Sequence, residues 1–220
     1  MSSIEKLQNL KGRRSLVTGA TGALGNIITE TLSELGSDLI LVDRPGSDLT
    51  GLESRIAKTW DVKIIPIECD LEVELDRTKL ADEIIKDNKG LNCLINNAAF
   101  VGSSELEGWV EPFERQTVET WRRALEVNLT AAFHLSQMLS PLLQEGTGGN
   151  IINVTSIYGE YAPDWSLYEG TSMGNPAAYG VSKGGLAQLT RWLSTTLAPN
   201  VRVNAMAPGG IFRNQAKEFV

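Results

Sequence analysis

Short apolar runs alternate along this 220-residue chain with longer stretches of helical spacing, and this rhythm limits the fold more than any single motif does. The predicted strands cover residues 15–17, 38–43, 62–69, 91–95, 150–154 and 201–206. Between them, helices are predicted over 26–35, 52–60, 73–86, 121–143 and 177–197. A strand with one wet face alternates apolar and polar residues; most of these runs are largely apolar, which suggests burial on both faces. Parallel strands covered by helices on each side, joined by right-handed crossovers, provide that burial. The expectation is an α/β fold with a doubly wound parallel sheet in three α/β/α layers, one domain over residues 1–220.

Two stretches break the rhythm. Residues 100–117 are polar and aromatic, and residues 157–176 carry Tyr158, Tyr161, Trp165 and Tyr168. Loops this long in a compact domain are generally functional. Each follows a strand, which places both at the carboxyl edge of the sheet, where open α/β sheets bind ligands.

Bulk properties exclude several classes. A net charge of −7 and a pI near 4.9 argue against a nucleic-acid partner. No apolar run reaches the roughly 18 residues that span a bilayer. The N-terminal Met-Ser-Ser-Ile-Glu lacks the apolar centre of a signal peptide. Cytoplasmic residence without a membrane partner is expected. Cys69 and Cys93, both in strand-like segments, read as small buried hydrophobes. His134, the chain's one histidine, reads as a packing residue or one with a satisfied core hydrogen bond, and no metal site is expected.

The first predicted strand runs into Thr18-Gly-Ala-Thr-Gly-Ala-Leu-Gly25, which opens the first helix. Glycines at 19, 22 and 25 allow a tight turn and let backbone amides approach a pyrophosphate at the positive helix end, as in Rossmann-type nucleotide sites. Asp43 ends the second strand, where a carboxylate accepts from both hydroxyls of an adenosine ribose and repels a 2′-phosphate. NAD is therefore the expected cofactor, with NADP second, because the neighbouring Arg44 is able to hold a 2′-phosphate. Further on, Tyr179-Gly-Val-Ser-Lys183 places a phenol and an ammonium one helical turn apart on one face. A free tyrosine titrates near 10, and an adjacent positive charge favours its anion; a shift of about 3 units takes about 4 kcal/mol. Such a pair moves a proton on or off an alcohol or carbonyl oxygen near neutral pH.

The order of these elements resembles the short-chain dehydrogenase/reductase family from about residue 12 to residue 212. The glycine turn is followed by Cys69-Asp70-Leu71, by Asn96-Asn-Ala-Ala99 and by Asn128 in a Val-Asn-Leu triplet. Ser156 comes next at a strand end, then Tyr179 and Lys183, then Arg202-Val-Asn-Ala-Met-Ala-Pro-Gly209. The resemblance implies that Tyr179 is the general acid/base and that Ser156 orients and polarises the substrate oxygen. Lys183 would lower the Tyr179 pKa and bind the nicotinamide ribose, and Asn128 would hold a water linking Lys183 to solvent. It also implies cofactor contacts from Gly19, Thr21, Gly22, Ala23, Leu24 and Gly25, then from Asp43, Arg44, Asp70 and Leu71. Asn97, Ala98, Ala99, Pro208, Gly209 and Ile211 complete that set with Tyr179 and Lys183. Taken singly, Ser156 also reads as a turn cap and Asn128 as an amide satisfying buried backbone.

Some positions depart from the family pattern. Ala23 stands where the short branch usually has glycine, and the resulting T-G-x-x-G-x-x-G spacing matches the extended branch of nucleotide-sugar epimerases and dehydratases. Ser156 and Tyr179 lie 23 positions apart, wider than usual in the short branch. Arg213 replaces the family's threonine, and the chain stops where family members usually continue through a substrate-covering helix and a last strand. The segment from Ser156 to Met173, with Pro208-Gly-Gly-Ile-Phe, looks like bacterial members linked to surface-polysaccharide or flagellin-sugar pathways. The expected function is NAD(P)-dependent hydride transfer at a secondary alcohol or carbonyl of a small polar, sugar-like molecule. The alternatives are an extended-type epimerase or dehydratase, and a non-catalytic cofactor-binding protein. The resemblance also implies a homodimer or homotetramer built through the helices at 121–143 and 177–197.

Overall fold

The structure is a computed structural model and describes residues 8–102, 106–145 and 148–211. Among these, β1 (Arg14–Thr18), β2 (Asp38–Asp43), β3 (Ile64–Glu68), β4 (Cys93–Asn96), β5 (Gly149–Val154) and β6 (Val201–Met206) form one sheet. The order is β3-β2-β1-β4-β5-β6 and every pairing is parallel. The helices are α1 (Ala23–Glu34), α2 (Leu49–Thr59), α3 (Glu74–Asp87), α4 (Val118–Leu125), α5 (Ala131–Glu145) and α6 (Ala177–Thr196). Strand residues alternate between two cores. Leu16, Ile40, Val42, Leu94, Ile151 and Val203 join the one covered by α3, α5 and α6. Val17, Leu39, Leu41, Ile95 and Val154 join the one covered by α1 and α2. Each fully buried leucine or isoleucine contributes about 1.5–3 kcal/mol, so two apolar layers back to back account for the doubly wound form. Strand order reverses between β1 and β4, opening a crevice at their carboxyl ends.

Element ends differ from the expected ones for local reasons. The first helix begins at Ala23, not 26, because its first turn packs onto the glycine turn; a Cβ on Gly25 would lie 2.0 Å from the Gly19 carbonyl oxygen. The second begins at Leu49 because the Asp48 carboxylate accepts from the Gly51 amide at 3.0 Å, an N-cap. The long helix expected over 121–143 is a correction. It starts at Val118, where the Thr117 hydroxyl accepts from the Thr120 amide, and it is interrupted by a π-helical turn at Glu126–Thr130. Asn128 lies in that turn and the Asn128 amide is held on the Phe100 backbone, which pulls the helix out of register.

A buried cation fastens this helix to α3. Arg77, almost without exposure, donates to the Leu71 carbonyl, to Glu126 Oε1 at 2.7 Å and to His134 Nδ1 at 3.3 Å. His134 is thus a packed residue with a satisfied hydrogen bond. Cys69 and Cys93 belong to opposite cores, and burial pushes their thiols up to about 11 and about 12. Removing the Arg77 guanidinium would strand the Glu126 carboxylate and the Leu71 carbonyl. Arg77→Ala is therefore expected to lower the unfolding free energy by about 3–5 kcal/mol in a denaturant titration, and a loss below about 1 kcal/mol would show the network to be incidental.

Candidate active site

The carboxyl ends of β1 and β4 are stitched together by one hydroxyl. Thr18 Oγ1 accepts from the Asn97 and Ala98 amides, each at 3.0 Å, and donates to the Ile95 carbonyl. Asn97 Nδ2 returns bonds to the Thr18 and Gly19 carbonyls at 2.9 and 3.1 Å. Gly19 has φ +65°, and a Cβ there would meet Ala98 Cα at 2.8 Å, so only glycine allows this approach. Ala99 lies half-buried beside them.

The glycine turn leaves α1 without a side-chain cap at Gly22 and without an acid in its first turn. The first amides of α1 therefore lack a capping side chain, at a positive helix end flanked by exposed Gly22 and Ala23 and half-buried Thr21 and Leu24. Ala23 is exposed, so its methyl group meets no packing there. Asp43 is anchored: Oδ2 accepts from the Thr21 amide and hydroxyl at 2.9 and 2.7 Å, and Oδ1 from the Arg44 amide and Ser47 hydroxyl. The Arg44 residue is exposed. Asp70 Oδ1 accepts from the Glu72 amide. The Leu71 side chain belongs to the core and its carbonyl is engaged by Arg77, which leaves its amide as the group available to a ligand.

Around α6 the candidate acid/base residues gather. Lys183 is buried, and Nζ donates to the Val154 carbonyl at 2.7 Å while lying 5.9 Å from the centre of the Tyr179 ring. An ammonium has three donors, and the Val154 carbonyl takes one. Burial lowers the Lys183 pKa from 10.5 to about 8. Ser156 is also buried; its Oγ accepts from the Tyr158 amide at 3.2 Å, starting a 3₁₀ turn at Ile157–Gly159. Capping uses a lone pair, and the Ser156 proton has no acceptor among the described residues. That turn lies on α6 backbone to backbone, since a Cβ on Gly159 would meet the Lys183 carbonyl carbon at 2.7 Å and the Gly184 nitrogen at 2.9 Å. Asn128 Oδ1 accepts from the Phe100 amide at 2.6 Å, and Nδ2 donates to the Phe100 carbonyl and to Ser182 Oγ. The Asn128 side chain thus satisfies buried backbone and ties the loop after β4 to α6. The Pro208 carbonyl accepts from the Ile157 amide, so the segment after β6, with Gly209, lies against the Ser156 turn. Ile211 is exposed at the end of the described chain, and Arg213 lies outside the described residues.

The short chain dehydrogenase family profile matches residues 13–219. The chain belongs to that family. It is 32% identical over 203 residues to a 3-oxoacyl-[acyl-carrier-protein] reductase of Aquifex aeolicus (strain VF5), covering 92% of this chain and 75% of that protein. A solved NAD+-bound xylitol dehydrogenase is 30% identical with a TM-score of 0.77, covering 91% of this chain and 71% of that one. The NADPH-dependent 3-quinuclidinone reductase of Rhodotorula rubra, at 24% identity, TM-score 0.79 and 95% and 73% coverage, shares the fold. The chain is thus an oxidoreductase acting on CH–OH groups, of a family that binds NAD(P). The residues fit such a dinucleotide: an uncapped helix N-terminus for the pyrophosphate, and an ammonium with donors to spare for a ribose.

Three residues that support the candidate site escaped the sequence reading. Gln116 Oε1 accepts from the Ala177 amide at 3.1 Å, capping α6 where Pro176 offers no side-chain cap. Trp109 is buried, donates to the Val101 carbonyl at 2.6 Å and meets Phe100 edge-on at 5.0 Å, in a small core that includes Tyr179. Gly159 is the third. The signals were a tryptophan directly after Gly108, and a glutamine just before a helix start. Both needed their distant partners to be seen. A groove of about 410 Å³ between α1 and α2 contains none of the site residues.

The buried ammonium has a measurable sign. Unfolded, Lys183 keeps its proton up to about 10.5; folded, it yields it near 8. Between those values the unfolded chain binds more protons, so this residue's contribution to stability rises with pH there and is least favourable below about 8. Cofactor-free Lys183→Met should be more stable than the wild type at neutral pH, by an amount on the order of 2 kcal/mol. That lead should shrink as pH rises through the window. A lead independent of pH would contradict the buried charge.

Proposed function

We propose that this chain oxidises secondary alcohols, or reduces the matching ketones, of small polar substrates, with Tyr179, Ser156, Lys183 and Asn128 as its working residues. The observation carrying this reading is the close docking of the Ile157–Gly159 turn on α6, which brings the Ser156 hydroxyl to the helix bearing Tyr179 and Lys183. NAD(P), when bound, supplies the two-electron acceptor or donor for the substrate carbon. In oxidation, the Tyr179 oxygen takes the proton of the substrate hydroxyl; in reduction it returns one. The Ser156 O–H donates to the substrate oxygen and fixes its position. Lys183 holds a positive charge beside the Tyr179 ring and offers its remaining donors to the ribose. Asn128 holds the loop after β4 against α6, and a water relay to Lys183 beside it is part of the proposal.

The whole chain acts as one domain carrying both cofactor and catalytic groups, in the cytoplasm. NAD is the cofactor we favour, because the anchored Asp43 carboxylate at the end of β2 would repel a 2′-phosphate. A sugar or sugar nucleotide is the substrate class we favour, as the 157–176 segment combines aromatic rings with Glu160, Asp164 and Glu169; a place in surface-polysaccharide or flagellin-sugar chemistry accords with it. Exposed Val118 and Phe133, with Val181 and Trp192 on α6, support a homodimer or homotetramer.

Tyr179→Phe should lose about 10²–10⁴-fold in turnover, followed at the nicotinamide absorbance band, with cofactor affinity little changed. Full turnover in that variant would remove Tyr179 from the acid/base role. A stoichiometric absorbance change per substrate separates net oxidation from epimerase-type chemistry, in which the electrons return to the same molecule. The wild type should use NAD better than NADP, and Asp43→Ser should narrow that preference. A wild type that prefers NADP overturns the assignment of Asp43.

A further inference from the structure

Two hydrogen-bond donors beside this site have no use in the mechanism above. Tyr158 follows Ser156 by two residues, in the turn clamped onto α6; a Cβ on Gly180 would lie 3.1 Å from the Tyr158 carbonyl oxygen. The Tyr158 hydroxyl accepts from the Tyr168 hydroxyl at 2.7 Å. Tyr168 comes from the far end of the 157–176 segment, in the 3₁₀ turn Trp165–Tyr168, with the Trp165 ring 5.9 Å away. Burial, and then the bond to Tyr158, push the Tyr168 pKa up, so Tyr168 remains the donor of the pair, and nearby Tyr179 adds to the rise. The proton of Tyr158 is thereby left without an acceptor among the described residues. Asn175 precedes α6, four positions before Tyr179. It is nine-tenths buried, and Nδ2 has no hydrogen-bond partner at ordinary length, although it lies close enough to the Tyr168 oxygen to offset part of that rise. A buried amide donor left unpaired is rare, and its usual explanation is a missing partner.

We propose that Tyr158 and Asn175 are specificity-determining residues that donate to a second oxygen of the substrate, so that the site selects polyols and hydroxyketones over compounds with one oxygen function. The inference rests on the reading of Tyr179 as acid/base. Tyr168 is a positioning residue, because its donation holds the Tyr158 oxygen as acceptor and leaves the Tyr158 proton to another partner. A substrate with a second hydroxyl pairs both donors, whereas a simple ketone leaves half-buried Tyr158 and buried Asn175 without that partner, an arrangement that discriminates against it. The width of the Ser156–Tyr179 interval then has a purpose: the extra chain carries Tyr168 back onto Tyr158 and brings Asn175 to the start of α6.

The test compares kcat/KM for 3-hydroxybutan-2-one and butan-2-one, and for butane-2,3-diol and butan-2-ol, with the wild type, Tyr158→Phe and Asn175→Leu. Tyr158→Phe removes one oxygen and is the variant least able to disturb folding. The wild type should favour the two-oxygen member of each pair by about tenfold or more, and each variant should cut that ratio severalfold, chiefly through KM. A wild type with no preference, no turnover of the two-oxygen substrates, or variants that keep the wild-type ratio would each overturn the proposal. Tyr179→Phe distinguishes the two levels: full turnover there defeats the acid/base reading, whereas unchanged ratios in the other variants defeat only the second recognition point.

Discussion

The site depends on one close approach of backbone to backbone. Gly159 lies against the carbonyl of Lys183 and the nitrogen of Gly184, and Gly180 and Gly184 present bare backbone to the same turn. With no Cβ between them, the strand end carrying Ser156 and the helix carrying Tyr179 and Lys183 are held at a distance set by van der Waals contact, not by mobile side chains. Catalytic groups need placement within a fraction of an ångström, and rigid elements in direct contact supply it.

Around that contact, buried polar groups are paired so as to fix register. Asn96 Nδ2 donates to Asn153 Oδ1 at 2.8 Å across β4 and β5, and Asn153 donates to Thr190 on α6. Asn128 does the same between the loop after β4 and Ser182. Each of these bonds contributes modestly when made and costs more when broken, so together they resist any slip of α6 along the sheet. Lys183 is the exception. It is a desolvated cation with one backbone acceptor, disfavoured in the cofactor-free fold and held there by the packing around it.

The alternation of strands and helices, the two-sided burial of β1, β2 and β4 and the glycine turn were legible because each leaves a local mark: apolar runs, helical spacing, glycines between strand and helix. Tyr179, Lys183 and Ser156 were legible through their order along the chain. What the sequence concealed depends on contacts between distant segments. The π turn at Glu126–Thr130 follows from Asn128 reaching for the Phe100 backbone, and periodicity alone shows an unbroken helix there. Gln116 capping α6 spans 61 residues, and Trp109 becomes core only where its ring meets Phe100. The start of α1 was misplaced because a glycine inside a helix reads as a breaker until its neighbour, the Gly19 carbonyl, is known.

The central claim is that turnover requires the turn bearing Ser156 to touch α6 directly. The most direct measurement is the kcat of Gly159→Ala beside its cofactor affinity and thermal midpoint. The added methyl group meets only backbone atoms, so the turn has to move away from Lys183. The account predicts a fold and a cofactor affinity close to the wild type with kcat reduced by about 10²-fold or more. A Gly159→Ala protein with wild-type kcat would contradict it.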